Sequence, residues 1–279
     1  MARVEVASES GACYGVERAL ELVERVSREA EGPVHTLGPL IHNPSVVSAL
    51  EEAGVSVVED PSEAAPGDTL VLRTHGVTPD VERQAREAGL EVIDATCPFV
   101  TRVHRLAEKL ASEGYQVMIV GEKGHPEVEG TRGHVPEAPV VLSAHDVDAI
   151  EVSRRVALVV QTTLAVDDLR NVVGALVGRC DELRVCNTIC DATSKRQSAA
   201  AELAVRADVM VVVGGKNSAN TNHLAEICRS RATTYHVETL GEVDPAWFSG
   251  AELVGISAGA STPRNQVAEM REHVSRLCD

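Results

Sequence analysis

Cys13, Cys97 and Cys190 are spaced by 84 residues (13 to 97) and 93 residues (97 to 190), and each stands where a strand pattern gives way to a helix pattern. No pair forms a local C-x-x-C clip, so if the three act together they come from three separate segments. Three converging thiolates can hold an iron–sulfur cluster and leave one iron without a protein ligand. They can equally hold a zinc ion with water in the fourth position. Buried thiols that pack as small hydrophobes are the plainer alternative. The Gly, Pro, Thr and Asp residues that flank all three favour ligation, and placement at helix starts predicts lowered thiol pKa values. Cys180, Cys228 and Cys278 fall in or near helices and read as structural. Cys186, read as part of a strand, makes a C-x3-C pair with Cys190 and is the nearest spare ligand.

His42, His75 and His125 share the setting of the cysteines, each near a strand end beside Gly or Pro. They are placed to donate hydrogen bonds to phosphate oxygens. Glu127 follows His125-Pro126, and a carboxyl in a closed pocket there would shuttle protons. Glu129 competes for that role. Residues two apart on a helix do not share a face, so at most one of the two points inward. Gly214-Gly215-Lys216-Asn217-Ser218-Ala219-Asn220-Thr221-Asn222 follows a strand and opens a helix, as does Ser257-Ala258-Gly259-Ala260-Ser261-Thr262-Pro263. Backbone N–H groups at helix starts, with Ser and Asn side chains, suit a phosphate. Neither turn ends as a Walker A loop or has the G-x-G-x-x-G form, so no dinucleotide site is expected. Gln161-Thr162-Thr163 is a third polar turn.

Short β-branched runs alternate with helical patterns and must position these groups. Thr69–Leu72, Gln116–Val120, Val156–Val160, Asp208–Val213 and Ala251–Ile256 are continuous apolar strands, with helices expected from about Pro79, Asp167 and Pro263. Such runs read as parallel strands covered on both faces, hence an α/β protein. Three strand-to-helix turns with one cysteine each suit three small α/β lobes around a centre, sites lying beyond the carboxyl ends of the strands. The lobes are expected at residues 14–97, 98–190 and 191–279, the last joined by an N-terminal strand within 1–13.

The chain has 279 residues, 44% hydrophobic but only 2% aromatic, so its core must be aliphatic. A net charge of −16 lacks the footprint of a nucleic-acid binder. No apolar run is long enough to span a membrane. Seven cysteines without a secretory signal argue for a reducing cytoplasm and for metal or redox use.

Taken in order along the chain, Gly11-Ala12-Cys13-Tyr14-Gly15-Val16, His42-Asn43, His75-Gly76, Asp94-Ala95-Thr96-Cys97-Pro98, His125-Pro126-Glu127-Val128, Gln161-Thr162-Thr163, Cys190 with Ala192-Thr193, Lys216-Asn217-Ser218 with Asn220, and Ala258-Gly259-Ala260-Ser261 closely resemble the 4-hydroxy-3-methylbut-2-enyl diphosphate reductases, the LytB/IspH family. The resemblance covers essentially the whole chain. It implies three α/β lobes with mostly parallel sheets in a pseudo-threefold, trefoil-like arrangement around a [4Fe–4S] cluster. It matches Cys13, Cys97 and Cys190 to the cluster ligands. His42, His75, Ser218, Asn220 and Ser261 match diphosphate-binding positions, with Ala219 beside them, and His125 matches a substrate-site histidine. Glu127 matches the proton-delivering acid, and Thr162 a residue that orients the substrate hydroxyl and that acid.

The implied reaction takes up two electrons and two protons and removes an allylic hydroxyl as water, giving isopentenyl and dimethylallyl diphosphate. The implied electron donor is a ferredoxin or flavodoxin, for which Arg102, Arg105 and Lys109, or Lys195-Arg196, are candidate docking groups. Two positions depart from the family pattern: Ala12 replaces a usual Phe, and Ala219 a frequent Ser. A paralogue with an altered allylic diphosphate substrate, a non-catalytic iron–sulfur or zinc sensor, and a zinc hydrolase are the rival readings.

Overall fold

A computed structural model of the chain describes residues 2–278. Twelve strands run in chain order as β1 (Arg3–Val6), β2 (Val34–Leu37), β3 (Val55–Val58), β4 (Thr69–Leu72), β5 (Glu91–Asp94), β6 (Gln116–Val120), β7 (Val140–Val141), β8 (Arg155–Val160), β9 (Glu182–Val185), β10 (Val209–Val213), β11 (Thr233–Val237) and β12 (Leu253–Ala258). The helices are α1 (Tyr14–Glu29), α2 (Pro44–Glu52), α3 (Pro79–Glu87), α4 (Pro98–Ser112), α5 (Pro126–His134), α6 (Ala144–Asp148), α7 (Val166–Leu176), α8 (Asp191–Ala204), α9 (Ala219–Arg229) and α10 (Arg264–Cys278). The last strand begins two residues later than its apolar run suggests. Ala251 and Glu252 belong instead to a turn held by the Asp208 carboxylate, which accepts from Glu252 N–H at 2.8 Å and Leu253 N–H at 2.9 Å.

The strands form three four-stranded sheets, ordered β3-β2-β4-β5, β7-β6-β8-β9 and β11-β10-β12-β1. Every strand pairing among the described residues is parallel. The α/β class and the parallel strands expected from the apolar runs are borne out. One topology recurs in all three sheets. If each sheet's strands are counted as the chain reaches them, with β1 taken as fourth in the last sheet, the spatial order is always second, first, third, fourth.

Burial on both faces explains the unbroken apolar runs. Side chains alternate across a strand, and a helix must cover each face of a parallel sheet. In β6, Val117 and Ile119 pack with Val103, Ala107 and Leu110 of α4. Met118 and Val120 face the other way, against Leu169, Val172 and Leu176 of α7. In β10, Met210 and Val212 meet Leu203 and Leu224, while Val209, Val211 and Val213 meet Val267, Met270 and Val274 of α10. Truncating any of the larger of these to Ala should cost ~2–5 kcal/mol.

The chain divides into two compact units. One comprises the chain up to Val16, His42–Ser45 and the chain from Cys190 onward, and holds the sheet that contains β1. The other comprises Glu17–Ile41 and Val46–Ile189 and holds the remaining two sheets. No helix among the described residues is long and apolar enough to cross a membrane.

Candidate active site

All twelve residues singled out from the sequence lie on segments that leave the carboxyl ends of strands, where parallel sheets place their sites. The repeated topology sorts them. The fourth strand of each sheet leads to a cysteine: β5 to Cys97, β9 to Cys190, β1 to Cys13. The first and third strands lead to polar groups. They are His42 and His75 after β2 and β4, His125 with Glu127 and then Thr162 after β6 and β8, and Ser218 to Asn220 and then Ser261 after β10 and β12. The second strand is an edge in every sheet and leads to none of them.

In the unit that holds β2 to β9, Glu127 sits in the first turn of α5 and is 2% exposed. Thr162 N–H donates to Oε1 at 2.6 Å, and Thr162 Oγ1–H donates to Oε2 at 2.7 Å. Burial raises the carboxyl pKa to about 7, against these two hydrogen bonds, which favour the charged form. Glu129, the competing acid, is half-exposed and accepts from Gly124 N–H at 3.1 Å. One of the two acids therefore points inward, as the helix spacing requires. His125 caps α5: its Nδ1 accepts from Glu127 N–H at 3.2 Å, which leaves the neutral ring with its proton on Nε2. The His75 and His125 rings meet edge to face, centroids 5.6 Å apart. The Gln161 amide ties the Thr162 turn to the α5 loop, its Oε1 accepting from Glu122 N–H at 2.9 Å.

The His75 and Cys97 turns run side by side. Cys97 N–H donates to Thr74 O at 2.9 Å, and Thr74 Oγ1–H to Leu40 O at 2.9 Å. Gly76 makes the first turn possible. Its φ is +74°, and a Cβ there would come within 2.7 Å of the His104 ring. His104 is 6% exposed and stacks on His134 at 4.3 Å. Burial and the neighbouring His134 push its pKa down to about 4.

In the other unit, Ser218 caps α9, its Oγ accepting from Thr221 N–H at 3.4 Å. Asn220 is 4% exposed, and neither end of its amide has a hydrogen-bond partner among the described residues. Ser261 Oγ–H donates to His42 O at 3.0 Å, and Asn43 Nδ2 donates to Ser261 O at 2.9 Å. A Cβ at Gly215 would lie 2.7 Å from His42 O, and one at Gly259 would collide with Thr221 Oγ1. The structure thus brings His42, Ser218, Ala219, Asn220 and Ser261 into one constellation of polar groups around a helix N-terminus, which suits an anion. Ala219 is buried and offers only its backbone there.

Cys13 and Cys190 belong to this same unit. Each immediately precedes a helix, Cys13 before α1 and Cys190 before α8. Cys13 N–H donates to Ala260 O at 3.1 Å, fixing that turn beside Ser261. The Cys190 thiol does not follow the expectation of a lowered pKa. Burial raises it, outweighing the Ala192 and Thr193 N–H groups that favour the thiolate, and the nearby Cys13 charge adds to the rise. None of the seven cysteines is in a disulfide. Cys186 lies one residue past β9, not inside it, and packs against the core around Val117 and Val159. No group of three potential ligands is near enough to define a metal site by geometry among the described residues.

Arg196, expected with Lys195 as a candidate docking group, is instead 4% exposed and unavailable to a partner. The signal was present in the chain. Thr193, Arg196, Ala200 and Leu203 recur at helical spacing and are all buried, so Arg196 sits on the inner face of α8. Asn43, Thr221 and His104, also not singled out as site residues, back the groups that were. Arg102 and Arg105 are exposed and, with the half-buried Arg18, line a groove of about 320 Å³ beside Thr96 and Pro98. Lys109 is engaged by Glu113 at 3.7 Å.

The LytB protein family matches residues 4–275. The 4-hydroxy-3-methylbut-2-enyl diphosphate reductase of Aquifex aeolicus is 43% identical over 284 residues, covering 100% of this chain and 98% of its own. That of Anaeromyxobacter sp. strain Fw109-5 is 47% identical over 263 residues, covering 93% and 92%. A solved structure of (E)-4-hydroxy-3-methyl-but-2-enyl diphosphate reductase, described as the terminal enzyme of the non-mevalonate pathway, is 43% identical with a TM-score of 0.74, covering 99% and 100%. The structure of E-1-hydroxy-2-methyl-but-2-enyl-4-diphosphate reductase from Plasmodium falciparum is 29% identical with a TM-score of 0.93, covering 96% and 86%.

Proposed function

The chain belongs to the LytB protein family, and from that premise we propose that it reduces 4-hydroxy-3-methylbut-2-enyl diphosphate to isopentenyl and dimethylallyl diphosphate, the last step of the methylerythritol phosphate (non-mevalonate) route to isoprenoids. The reaction consumes two electrons and two protons, breaks the allylic C–O bond and releases water. The observation that carries this reading is Glu127, a carboxyl buried against Thr162 with a pKa of about 7. Such an acid still holds its proton near neutral pH and can deliver it to a departing hydroxyl. A sensor has no use for that arrangement. The Thr162 hydroxyl, already held by Glu127, is the group that orients the substrate oxygen toward the acid.

The diphosphate falls to His42, Ser218, Asn220 and Ser261, with the Ala219 N–H, and to His75; His125 serves the substrate from the Glu127 turn. These are neutral donors, so an anion is held without opposing the chain's net charge of −16 by a cluster of lysines. The free amide of Asn220 fits a ligand's arrival.

Family resemblance assigns a [4Fe–4S] cluster to Cys13, Cys97 and Cys190. The donor set fits. Cys13 and Cys190 flank a buried cation, each at a helix start, and all three sulfurs follow the same strand of the repeated sheet. When bound, the cluster would supply electrons and a Lewis acid for the substrate oxygen. The electrons come from a ferredoxin or flavodoxin, whose acidic surface suits Arg18, Arg102 and Arg105 at the groove beside Thr96. A reducing cytoplasm is the compartment that keeps these thiols available.

Anaerobic assay of iron- and sulfide-loaded protein with a strong reductant and the allylic diphosphate tests the proposal. Consumption of substrate with formation of both products is expected. Absence of consumption by fully loaded protein would overturn it.

A further inference from the structure

One guanidinium joins the two cysteine-bearing turns of the β1 sheet. Arg196 Nη2 donates to Gly11 O at 2.7 Å, and Nη1 donates to Ala192 O at 3.2 Å. Gly11 precedes Cys13 by two residues, and Ala192 follows Cys190 by two. The side chain is 4% exposed, and its Nε is buried without a hydrogen-bond partner among the described residues. Both of its hydrogen bonds among the described residues go to neutral carbonyls. The charges it senses are those of the Cys13 and Cys190 sulfurs, and only more weakly that of the exposed Glu9.

A buried cation whose hydrogen bonds go only to neutral carbonyls is costly, because desolvation is poorly repaid without a counter-charge in direct contact. An anion bound next to it removes that cost. A thiolate-ligated iron–sulfur cluster is such an anion, and each electron that enters makes it more negative. We propose that Arg196 is a positioning and charge-compensating residue for the iron–sulfur cluster: it holds the Cys13 and Cys190 turns in register for ligation, and its buried charge favours the reduced cluster, raising the potential at which the electron enters. This rests on the cluster assignment made above. A cation in low-dielectric surroundings acts on a neighbouring charge far more strongly than one in water. An arginine that merely tied two loops together would leave the potential where it was.

The test compares wild type, Arg196→Lys, Arg196→Gln and Arg196→Met, each loaded anaerobically, with iron and acid-labile sulfide quantified. The substrate-free cluster is then titrated spectroelectrochemically. Arg196→Lys, which keeps the charge, should stay near wild type. At the potential that half-reduces wild type, the reduced-to-oxidised ratio in Arg196→Gln and Arg196→Met should fall about tenfold. Equal potentials in all four proteins at matched iron content would overturn the proposal. If the neutral variants hold no iron while Arg196→Lys loads fully, the requirement for a cation is upheld. If Arg196→Lys also fails to load, Arg196 is a fold residue only, and the proposal is overturned. Wild-type protein that holds no iron or sulfide is a separate result, which removes the cluster reading itself.

Discussion

Thr162 grips Glu127 by both carboxyl oxygens, its N–H on one at 2.6 Å and its hydroxyl on the other at 2.7 Å. The side chain is thus fixed in direction while burial keeps its proton within reach of neutral pH. Glu127→Gln should fold and load iron normally, because the amide fills the same volume. Its turnover should fall by ~10²–10⁴, the usual worth of a positioned acid. Steady-state rates at matched iron content check this, and near wild-type turnover would count against Glu127 as the donor.

The pH profile should carry the same signature. With Glu127 as acid, the rate declines as pH rises through about 7. Thr162→Val removes a hydrogen bond that favours the carboxylate, so the declining limb should move to higher pH even as the rate drops. Thr162→Ser should return both toward wild type. Rate measured against pH in the three proteins decides the matter.

Stability should respond in the same sense. Glu127 titrates at the ordinary value of 4.5 when unfolded and at about 7 when folded, so the unfolded chain releases this proton first as pH rises. Its relative stabilisation of the fold is full below 4.5 and is lost as pH climbs through 7, by ~3 kcal/mol in all. His104 acts oppositely. Its depressed pKa of about 4 means that stability is present above 6.5 and lost as pH falls through 4. Denaturant melts at pH 5 and 8 should show Glu127→Gln gaining relative to wild type at the higher pH. His104→Gln should narrow the loss below pH 6.

Much of the site was legible because its residues stand at punctuation. His125-Pro126, Thr96-Cys97-Pro98 and Gly214-Gly215 are turn signals after apolar runs, and apolar runs fix parallel strands. Arg196 is harder to place, because charge alone suggests the surface while its helical spacing with Thr193, Ala200 and Leu203 marks the interior. The Cys190 thiol departs from expectation for a different reason. Helix position can be read from the chain, but the burial that overrides it comes from packing against residues distant in sequence. The residue-by-residue pairing of β1 with β12 has no local signature, although an N-terminal strand joined to the last lobe is expected from the sequence.

Asn220 makes a sharp test of the diphosphate assignment. Its amide makes no hydrogen bond among the described residues although it is almost wholly buried, so Asn220→Ala removes no such bond and should be neutral in stability or slightly favourable. Substrate affinity should suffer instead, with KM rising about tenfold for the loss of one hydrogen bond to a charged group. A thermal melt and a KM measured on the same preparation separate the two. A destabilised protein with unchanged KM would assign Asn220 to the fold.

The Arg18, Arg102 and Arg105 groove should matter only when a protein supplies the electrons. Arg102→Glu with Arg105→Glu should slow ferredoxin- or flavodoxin-dependent turnover, most of all at low ionic strength, where exposed charges are least screened. Turnover with a small chemical reductant should be unchanged. Equal losses with both donors would move these arginines from docking to structure.

The β1 strand pairs Arg3 with Leu253 and Val6 with Ile256. On the ribosome, that strand emerges well before its partner, with the other two sheets translated in between. Two of the sheets can form on the growing chain, while the third stays open until β12 has been made. Cys13 is therefore the first of the three thiols to be translated and the last to be fixed in place. A sulfur that emerges early has to be kept reduced until the strand that fixes its turn has been made.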